Sequence, residues 1–538
     1  MSDYENQYRD FRWEVPEYFN FGAAIDVFGA EPGRPAILCE DQDGNRARLC
    51  FADIREQSNR IANVLAGLGV KPGDPVMIAL PRITLWQAVY VGALKAGAIA
   101  IPCGAALRYN DLVYRANHSG AVAIVAAVES ANLISDLRNQ CPALKHFLIA
   151  GSPRSGWLGM RDSMTKASAK FSPMRTRASD PALCLYTSGT AHEPKAVLHS
   201  HAYTWCHRYT GSRWLDARPG ELHWATADTG WAKAGYGVLF GPWMNGVTTF
   251  MYNGGLEPQK QLELLRRYSI ATLCAKPTEY RMLVKEENLE RSQLPALRHC
   301  TATGETLSPE VVASWRDRFG LTIHDGYGQA ETTIVAANVP GMEVKAGSMG
   351  RPFLGHDVRV LGGDNREVGD GETGEIAIRI SPERPPSLLL EYWKNPEENS
   401  AAFRGDYYFT GDLASRDSDG YLWSAGRADD LIISAGYRIG PFEVESALLE
   451  HPAVMESAAI ASPDAERGAI VKAFIKLKAG VEPSFAMARE LQEHVKRVAA
   501  PYKFPREIEF IDELPKTTSG KVRRGELREK EKARARNG

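Results

Sequence analysis

Residues 75–102, PVMIALPRITLWQAVYVGALKAGAIAIP, decide the fold class of this chain. Residues 75–80 form a short apolar run that is typical of a buried strand, whereas residues 83–95 have helical spacing and stop before Gly97. Residues 98–102 are again a short apolar run. A strand, a helix and a second strand in this order predict a βαβ unit, which builds parallel sheets.

The same pattern continues outward from this unit and then changes. Apolar runs such as residues 121–128 and 271–274 extend it and predict an α/β class with a large layered N-terminal domain over residues 1–428. Dense glycine turns with alternating segments between them indicate a β-rich subdomain over about residues 347–428. Strand-like and helix-like runs then start again and predict a small α+β domain over residues 429–538.

Composition excludes several classes of protein. Of the 538 residues, 44% are apolar and 24% are charged, which excludes a disordered or fibrous chain. With 64 basic against 66 acidic residues the net charge is −2, so the chain has no global attraction for nucleic acid. The 8 cysteines form no CxxC pair, which favours reduced, mostly buried thiols over a zinc ribbon or a disulfide framework.

Neither end of the chain nor its apolar runs predict a membrane protein. Residues 1–21 lack a basic segment followed by an apolar one, so they are not expected to be a signal peptide. The apolar region 86–103 is interrupted by Lys95 and is too short for a membrane span. We therefore expect a soluble, cytoplasmic protein. The charged residues 523–536 are interpreted as a solvated, frayed tail.

The first segment that suggests chemistry is residues 185–195, LYTSGTAHEPK, which follows a strand-like run. Small hydroxyl residues beside glycine allow a tight turn whose N–H and O–H groups can donate to phosphate oxygens, and Lys195 adds a positive charge. The segment does not fit the GxxxxGK[ST] pattern of a P-loop. The alternative interpretation is an ordinary surface loop.

The second segment is residues 325–332, DGYGQAET. In it, Tyr327 can stack on a base and Glu331 can ligate Mg²⁺, a hard cation that prefers oxygen. The alternative is a helix N-terminus with a glycine turn.

Two further segments lie in the second half of the chain. Asp412, in YFTGDL, can accept hydrogen bonds from ribose hydroxyls, and Arg427, in GRADD, can pair with phosphate. Residues 515–521, PKTTSGK, end on Lys521. The alternative interpretations are a salt-bridged loop for Asp412 and Arg427 and a solvated side chain for Lys521.

Together, in this order, the four segments resemble the adenylate-forming superfamily, which contains acyl-CoA synthetases, luciferases and peptide-synthetase adenylation domains. The resemblance extends over residues 13–528. Within the superfamily the chain looks most like the acetyl- and medium-chain acyl-CoA synthetase branch. Further motifs that carry the resemblance are residues 13–21, 228–231 (DTGW), 304–306 (GET), 347–350 (GSMG), 392–396 (YWKNP) and 436–441 (GYRIGP).

The resemblance implies an ATP-dependent acid–CoA ligase for a medium-chain, aromatic or cyclic acid, with Mg²⁺, ATP and CoA as cofactor and substrates. Lys521 would stabilise the charge at the α-phosphate, Glu331 would ligate the metal, and Thr187 would belong to the catalytic loop. ATP and AMP binding is assigned to Thr187, Ser188, Gly189, Thr190, Lys195, Gly304, Glu305, Thr306, Asp325, Gly326, Tyr327, Gln329, Glu331, Thr332, Asp412, Arg427, Arg438 and Lys521.

The resemblance also implies that the C-terminal domain is mobile and rotates about a hinge at Asp429 between the two half-reactions. Lys521 would face the site in the first step, and a CoA-binding segment would replace it in the second. The CoA-binding residues would be Ser434, Ala435, Gly436, Tyr437, Tyr502 and Lys503.

The acyl pocket is assigned by the same resemblance. Acetyl-specific relatives carry a tryptophan at the position of Gly328, so its absence here predicts a longer cavity. Lys233 either pairs with a polar acid or points outward, and the outward orientation is favoured. The predicted pocket residues are Trp231, Lys233, Ala234, Tyr236, Val238 and Gly328.

Other functions stay open at this point. The phosphate loop departs from the family pattern at Ala191 and His192, which leaves a non-catalytic nucleotide-binding homologue as an alternative. An acetyl- or short-chain-CoA ligase is a second alternative, and an enzyme that loads a carrier protein is a third. A lysine acetyltransferase that acts on Lys521 is a candidate partner, and a homo-oligomer is compatible with the sequence.

Overall fold

The structure is a computed structural model of the chain. It describes residues 3–105, 107–133, 137–187, 194–286, 293–434, 437–464, 467–499, 501–517 and 521–537. The chain forms two compact units. The first comprises Met1–Thr187, Lys195–Asp357 and Ile380–Ala401, and the second comprises Ser188–Pro194, Val358–Arg379 and Ala402–Gly538.

One sheet of the first unit contains the predicted βαβ unit. Strand Pro75–Ala79, helix Thr84–Lys95 and strand Ile99–Pro102 follow one another, and the two strands pair in parallel. The prediction from residues 75–102 is confirmed. In spatial order the eight strands are Glu391–Tyr392, Lys195–Ser200, Pro181–Thr187, Ile99–Pro102, Pro75–Ala79, Ala123–Ala127, His146–Ala150 and Leu158–Gly159.

A second sheet of the first unit has nine strands and is parallel in its middle. Antiparallel strands close it at both edges. In spatial order the strands are Arg351–Pro352, Ile334–Ala337, Ile323–Gly328, His299–Ala302, Thr272–Ala275, Leu222–Ala225, Thr248–Asn253, Pro35–Asp41 and Arg46–Cys50.

Helices of the first unit follow the strands of both sheets and pack against them. The α-helices are Asp3–Asp10, Phe21–Asp26, Phe51–Gly67, Thr84–Lys95, Tyr109–Ser119, Val128–Leu133, Leu137–Gln140, Met160–Lys166, His201–Tyr209, Ala232–Ala234, Gly241–Met244, Pro258–Arg267, Pro277–Leu283, Pro309–Phe319 and Pro396–Ala402, whose last residue is in the second unit. Val27–Ala30 is a 3₁₀-helix, and Thr210–Trp214 and Gly235–Phe240 are π-helical.

Each sheet of the first unit has its own apolar core. Trp224, Leu273 and Trp315 are buried on the nine-stranded sheet, and Met77 and Ile101 are buried on the eight-stranded sheet. Because strands that are covered on both faces are apolar along their whole length, these runs were recognisable in the sequence. The α/β fold class is confirmed.

The second unit is built from three smaller sheets. The five-stranded antiparallel sheet contains Val358–Leu361, Thr373–Arg379, Phe403–Arg404, Tyr407–Arg416 and Leu422–Arg427. A hairpin contains Ile432–Ser434 and Tyr437–Ile439, and a three-stranded sheet contains Val454–Asp464, Gly468–Leu477 and Glu507–Phe510. The helices are Pro441–Leu449, Phe485–Val498 and Arg524–Asn537, with 3₁₀ turns at Ala428–Asp430 and Pro501–Lys503.

The units and the predicted domains divide the chain differently. The antiparallel pairing of Thr373–Arg379 with Tyr407–Arg416 ties the β-rich segment together, and contacts group it with the C-terminal residues. The domain boundary between residues 428 and 429 stays a prediction.

The interpretation of residues 523–536 as a frayed tail is wrong. Arg524–Asn537 is a helix, with Leu527 and Glu531 buried against the second unit. Lys472 Nζ lies 2.8 Å from Glu531 Oε2. Charge complementarity therefore fixes a segment whose composition alone indicates a solvated tail.

Two expectations about the whole chain concern cysteines and membranes. None of the 8 cysteines forms a disulfide, and all except the partly exposed Cys50 are buried. Burial raises the pKa of the Cys39 and Cys103 thiols to about 11. Among the residues that the structure describes, no helix is long and apolar enough to cross a bilayer.

A buried carboxylate ties the edge of the nine-stranded sheet to the helix beside it. The side chain of Glu40 is fully buried. Burial acts to raise its pKa, but hydrogen bonds from a tyrosine and two cations outweigh this effect and lower the pKa from 4.5 to about 2. The partners of the carboxylate are the Tyr268 hydroxyl, Lys260 Nζ at 3.3 Å, Arg267 Nη1 at 3.0 Å and Arg46 Nε at 3.2 Å.

We expect Glu40→Gln to destabilise the first unit by about 3 kcal/mol at pH 7, since one pKa unit corresponds to about 1.4 kcal/mol. The folded pKa is depressed, so this stabilisation is present above pH 4.5 and is lost as the pH falls toward 2. Thermal unfolding of both proteins from pH 7.5 to 3.5 should therefore show a difference in Tm that narrows below pH 4.5.

The matched control is Glu263→Gln. Glu263 contacts the same Lys260 and Arg267, but its side chain is 41% exposed. An exposed pair contributes about 0–1 kcal/mol. Equal losses for both variants, or a gap that does not depend on pH, would contradict the assignment.

Candidate functional site

The carboxyl ends of four parallel strands lie side by side along one edge of the nine-stranded sheet. The strand residues Ala225, Cys274 and Thr301 are neighbours in register, and Ala302 is paired with Asp325. In open α/β sheets, ligands bind outside the carboxyl ends of the strands. The register therefore brings the loops after these strands to one place, and most of the predicted site residues of the first unit belong to them.

The predicted adenine-side segment follows the strand His299–Ala302. Gly304 has a φ of +96°, which a residue without a Cβ adopts without strain. The Glu305 carboxylate accepts hydrogen bonds from the backbone N–H and the hydroxyl of Thr278, at 3.2 and 2.5 Å. Thr278 lies in the first turn of helix Pro277–Leu283, where N–H groups have no partner within the helix. Thr306 follows and is half-buried.

The second predicted segment begins in the strand Ile323–Gly328. Asp325 is buried, and burial raises the pKa of its carboxyl to about 8, although the N–H of Gly326, 3.0 Å from Oδ1, acts in the opposite direction. A Cβ on Gly326 would lie 2.5 Å from the Trp214 ring, so close indole packing requires glycine here. Tyr327 is half-buried, and the Gln329 N–H donates to the Thr332 hydroxyl at 3.0 Å.

Glu331 lies near the strands that flank the predicted phosphate loop. The Tyr392 hydroxyl donates to Glu331 Oε1 at 3.1 Å, and Lys195 Nζ lies 5.6 Å from the centre of the Tyr392 ring. Lys195 is paired in register with Thr187 and contacts the carboxylate of Glu398. The structure thus brings together Thr187, Lys195 and Glu331. Ser188, Gly189, Thr190, Ala191 and His192 lie outside the described residues.

A neutral histidine holds the chain just before Glu331. His199 is fully buried, and burial lowers its pKa to about 3. Its Nε2 lies 2.6 Å from the Ala330 carbonyl oxygen, so this nitrogen carries the proton and donates it. The ring stacks on Tyr203 with 3.7 Å between the ring centres. Sequence reasoning missed His199, which only its position on the strand after the loop could have indicated.

Two small cavities lie beside residues 229–240. Trp86 and Thr229 line both of them, and three predicted pocket residues are divided between them. The smaller cavity is lined by Trp86, Tyr90, Pro102, Leu183, Leu185, Tyr203, Thr229, Trp231, Ala232, Gly235 and Phe240. The larger is lined by Arg82, Trp86, Trp224, Ala225, Thr226, Ala227, Thr229, Ala234, Val238, Met251, Tyr252 and Leu256.

Three predicted pocket residues, Lys233, Tyr236 and Gly328, line neither cavity. Tyr236 stacks on His207, with 5.5 Å between the ring centres. A Cβ on Gly328 would lie 2.5 Å from the carbonyl oxygen of Thr333. Any larger residue at position 328 would therefore need the backbone at Thr333 to shift.

Lys233 does not point outward, so that prediction is wrong. Only 7% of the residue is exposed, and its Nζ has no hydrogen-bond partner among the residues that the structure describes. Lys233 is flanked by the small and apolar residues of WAKAGYGVLF, a pattern that favours burial. A buried ammonium is costly unless a negative charge or a hydrogen-bond acceptor lies near it.

The negative charge near Lys233 belongs to Glu279, which sequence reasoning missed. Burial raises the pKa of the Glu279 carboxyl, and the charge of Lys233 opposes this rise. The Thr226 hydroxyl, in the wall of the larger cavity, donates to Glu279 Oε2 at 2.5 Å. The Nζ of Lys276 lies 3.9 Å from the centre of the Trp231 ring, and Trp231 lines the smaller cavity. Polar groups therefore border both cavities.

The second unit holds a separate group of predicted site residues. Asp412 and Arg427 face each other across two antiparallel strands, with 3.2 Å between Oδ1 and Nη1. Arg427 also donates from Nε to Asp429 Oδ1 at 3.3 Å and from Nη1 to the Thr410 carbonyl at 3.3 Å. Gly411 has a φ of +72°, and a Cβ there would lie 3.0 Å from Arg427 Nη2. The predicted ribose, phosphate and hinge residues are thus in direct contact.

Lys521 has an exposed side chain on a tightly held backbone. The Thr517 N–H donates to the Lys521 carbonyl at 2.7 Å, and the Lys521 N–H donates to the Thr517 hydroxyl at 3.1 Å. Residues 518–520 lie outside the described residues. The ammonium group is therefore presented to solvent from a fixed base.

The structure describes the side chains of four predicted CoA-binding residues. Tyr437 and Tyr502 stack with 4.5 Å between ring centres, and both are about half exposed. Lys503 contacts the carboxylate of Glu443, and Ser434 is buried. Ala435, Gly436 and the side chain of Arg438 lie outside the described residues.

Most of the chain matches models of a known protein family. Residues 27–393 match the family model described as AMP-binding enzyme, and residues 443–521 match the model of the AMP-binding enzyme C-terminal domain. The chain is 42% identical over 531 residues to human acyl-coenzyme A synthetase ACSM5, mitochondrial, with 96% of this chain and 91% of that protein covered. It is 41% identical over 538 residues to the rat acyl-coenzyme A synthetase ACSM4, mitochondrial, with 97% and 92% covered.

Solved structures agree with this result. The structure of the anthranilate CoA ligase AuaEII in complex with anthranoyl-AMP matches with a TM-score of 0.89 and 30% identity, covering 97% of this chain and 99% of that one. A benzoate CoA ligase from Burkholderia xenovorans LB400 matches with a TM-score of 0.84 and 28% identity, covering 95% and 100%. The chain therefore belongs to the AMP-binding enzyme family, on its acyl-coenzyme A synthetase branch.

Proposed function

We propose that the chain is an ATP-dependent acid–CoA ligase for medium-chain or aromatic carboxylic acids. It activates the acid as an acyl adenylate with release of pyrophosphate, and then forms acyl-CoA and AMP. The observation that carries this conclusion is the full-length identity of 42% with an acyl-coenzyme A synthetase. The likeness to a ligase that was solved with anthranoyl-AMP supports the acyl adenylate as the intermediate.

In the first half-reaction the substrate carboxylate attacks the α-phosphorus of ATP and pyrophosphate leaves. The pentacoordinate phosphorus gathers negative charge in the transition state, so a fixed cation stabilises the transition state more than the ground state. We assign this cation to Lys521. Its side chain is exposed, and its backbone is hydrogen-bonded to Thr517. We propose that domain movement brings this ammonium group to ATP.

Other residues bind and orient ATP. The loop between Thr187 and Lys195 holds the β- and γ-phosphates, and Lys195 supplies a positive charge beside them. The Asp412 carboxylate accepts from the ribose hydroxyls, while Arg427 keeps it in place through the 3.2 Å contact. In this assignment every group binds or positions a substrate, and no side chain acts as a nucleophile.

Mg²⁺ accompanies ATP in this proposal. Magnesium keeps several water ligands and takes one or two carboxylates in addition to phosphate oxygens. Glu331, oriented by the Tyr392 hydroxyl, fits one such position. When bound, the ion neutralises phosphate charge.

A rotation at Asp429 would let one site serve both half-reactions. In the second half-reaction the CoA thiol attacks the acyl carbonyl, and residues 434–436 would line the path of the pantetheine arm in place of Lys521. The exposed stack of Tyr437 and Tyr502 is a surface on which the adenine of CoA can lie.

The cavity walls favour an apolar acid with one polar feature. Aromatic residues such as Trp86, Tyr90 and Phe240 suit an alkyl chain or a ring. Each buried CH₂ contributes about 0.8 kcal/mol, so four further methylenes favour hexanoate over acetate by up to about 3 kcal/mol. Lys233 is buried near the Glu279 carboxylate, and we propose that it also pairs with a polar acid. Its ammonium would donate to a hydroxyl, amino or carbonyl group on the acid.

Other expectations stay predictions. The relatives described as mitochondrial give no support to a purely cytoplasmic location. A homo-oligomer and the acetylation of Lys521 by a lysine acetyltransferase also stay predictions. The non-catalytic alternative depends on Ala191 and His192, and a direct assay decides it.

The assay is ATP–pyrophosphate exchange with acetate to decanoate, benzoate and cyclic acids, followed by CoA-dependent release of AMP. We expect exchange with medium-chain or aromatic acids and thioester formation with free CoA. No exchange with any acid would support the non-catalytic homologue, and thioester formation only on a carrier protein would support the carrier-loading enzyme. A preference for acetate would support the short-chain alternative.

Lys521→Ala should lower the rate of adenylation by about 10²–10³-fold, because a preorganised charge is lost at the α-phosphate. Thioester formation from supplied acyl adenylate should be largely retained. Lys516→Ala is the control, since Lys516 lies five residues before Lys521 and its Nζ pairs with Glu456 Oε2 at 2.6 Å. Equal losses in both half-reactions of Lys521→Ala would contradict the proposed alternation.

Lys233→Met should lower the preference for a polar acid. We expect the ratio of kcat/KM for hydroxybenzoate to that for benzoate to fall by about 10-fold, as a hydrogen bond to a charged group contributes about 1.5–3 kcal/mol. Lys233→Met combined with Glu279→Gln removes both buried charges and serves as the matched control. An unchanged ratio in both variants would assign Lys233 to structure alone.

A further inference from the structure

Two arginines of the C-terminal helix reach the residue that follows the proposed hinge. The helix Arg524–Asn537 begins three residues after Lys521. Arg524 Nη1 lies 3.4 Å from Asp430 Oδ2, and Arg528 Nη1 contacts Asp430 Oδ1. The Asp430 side chain is only 10% exposed, so both ion pairs are largely screened from water. The first two turns of the helix are therefore bound to residue 430.

Arg524 is also fixed to the body of the second unit. Its Nη2 donates to both oxygens of Glu445 at 2.8 and 2.7 Å, and its Nε donates to Oε1 at 3.1 Å. Glu445 is buried in the helix Pro441–Leu449, and its Oε1 also accepts from the Ala459 N–H at 2.8 Å. A bidentate arginine fixes orientation as well as distance. Arg524 thus anchors the start of the helix.

Lys521 is connected to this anchor by a short, hydrogen-bonded backbone. The Arg523 N–H donates to the Pro515 carbonyl at 2.8 Å, and residues 516 and 522 form an antiparallel bridge. Together with the two bonds between Thr517 and Lys521, these contacts leave the lysine backbone little freedom relative to Arg524.

The two neighbouring acids at the proposed hinge pair with different arginines. Asp429 accepts from Arg427, which also pairs with Asp412 on the strand of the proposed ribose site. Asp430 instead pairs with Arg524 and Arg528. The change of partner occurs across one peptide unit, within the 3₁₀ turn Ala428–Asp430. A rotation at residue 429 would therefore leave the contacts of Asp430 intact.

We propose that Arg528 and Arg524 are positioning residues for Lys521, which act by clamping Asp430 to the helix that follows the lysine. The clamp makes the backbone after the hinge and the hydrogen-bonded residues Thr517 and Lys521 move as one body, so that the hinge angle determines where the ammonium arrives. This inference rests on the proposed function, because it requires Lys521 to act on ATP.

The test compares two ion pairs on one helix. Arg528→Gln removes one of the two ion pairs of the clamp, and Asp430→Asn weakens both. Arg534→Gln is the matched control, because Arg534 lies near the other end of the helix and pairs with Glu509 at 2.5 Å and Glu531 at 2.9 Å. ATP–pyrophosphate exchange measures adenylation, and acyl adenylate supplied with CoA measures thioester formation.

We expect Arg528→Gln and Asp430→Asn to lower adenylation by about 10–100-fold, since small misplacements of a reacting group cost up to about 10²-fold. Thioester formation should fall by less than about 3-fold, because Lys521 is not used there. The double variant should lose no more than Asp430→Asn alone, as expected for groups that act as one unit. Arg528→Lys should restore part of the adenylation.

If the ion pairs had only a structural role, the variants would lower the rates of both half-reactions and the Tm together. That outcome would overturn the proposal. A selective loss of adenylation in the Arg534→Gln control would overturn it as well. Arg524→Gln removes the cation that pairs with the buried Glu445 carboxylate and should destabilise the fold itself, so Arg528 and Asp430 carry the test.

A second measurement does not depend on activity. Amide hydrogen exchange at residues 517 and 521 should rise in Arg528→Gln and stay unchanged in Arg534→Gln. If the parent protein shows no pyrophosphate exchange with any acid, the proposed function fails, whereas the exchange rates of these amides still support or overturn the clamp. Unchanged amide exchange in Arg528→Gln would overturn it.

Discussion

The parallel register of four strands in the nine-stranded sheet is the constraint on which the first half of the site depends. Because the strands that contain Ala225, Cys274, Thr301 and Asp325 are paired in the same direction, the loops that follow them leave at one edge. Residues far apart in sequence thereby become neighbours, and a carboxylate from one loop can cap the helix of the next, as Glu305 does at Thr278. The apolar cores on each sheet hold this edge in place.

Patterns local in sequence were predictable, and interactions between distant charges were not. The βαβ unit at residues 75–102 and the functional segments were recognisable because apolar periodicity and glycine-rich turns are local properties. The buried neighbours Lys233 and Glu279 follow different strands, so no local pattern indicated that their charges interact. The charged C-terminal segment looked like a solvated tail because its acidic partners, such as Asp430 and Glu445, lie far upstream.

Charge is used differently in the two units. In the first unit, charged side chains such as those of Glu40 and Lys233 are buried. In the second unit, ion pairs follow one another along the chain that leads from Asp412 through Arg427 to residues 429 and 430. An apolar contact tolerates sliding, whereas a bidentate arginine pair specifies direction, which suits a part of the protein proposed to turn between two working positions.

The state of the cysteines has a practical consequence. Since all except Cys50 are buried thiols, and burial keeps thiols such as Cys103 protonated at neutral pH, the folded protein offers little thiolate to a disulfide reagent. The consumption of the free thiol of CoA can therefore be followed colorimetrically in the presence of the intact protein with a low background. The same chemistry makes a rise in reactive thiol a sensitive report of unfolding.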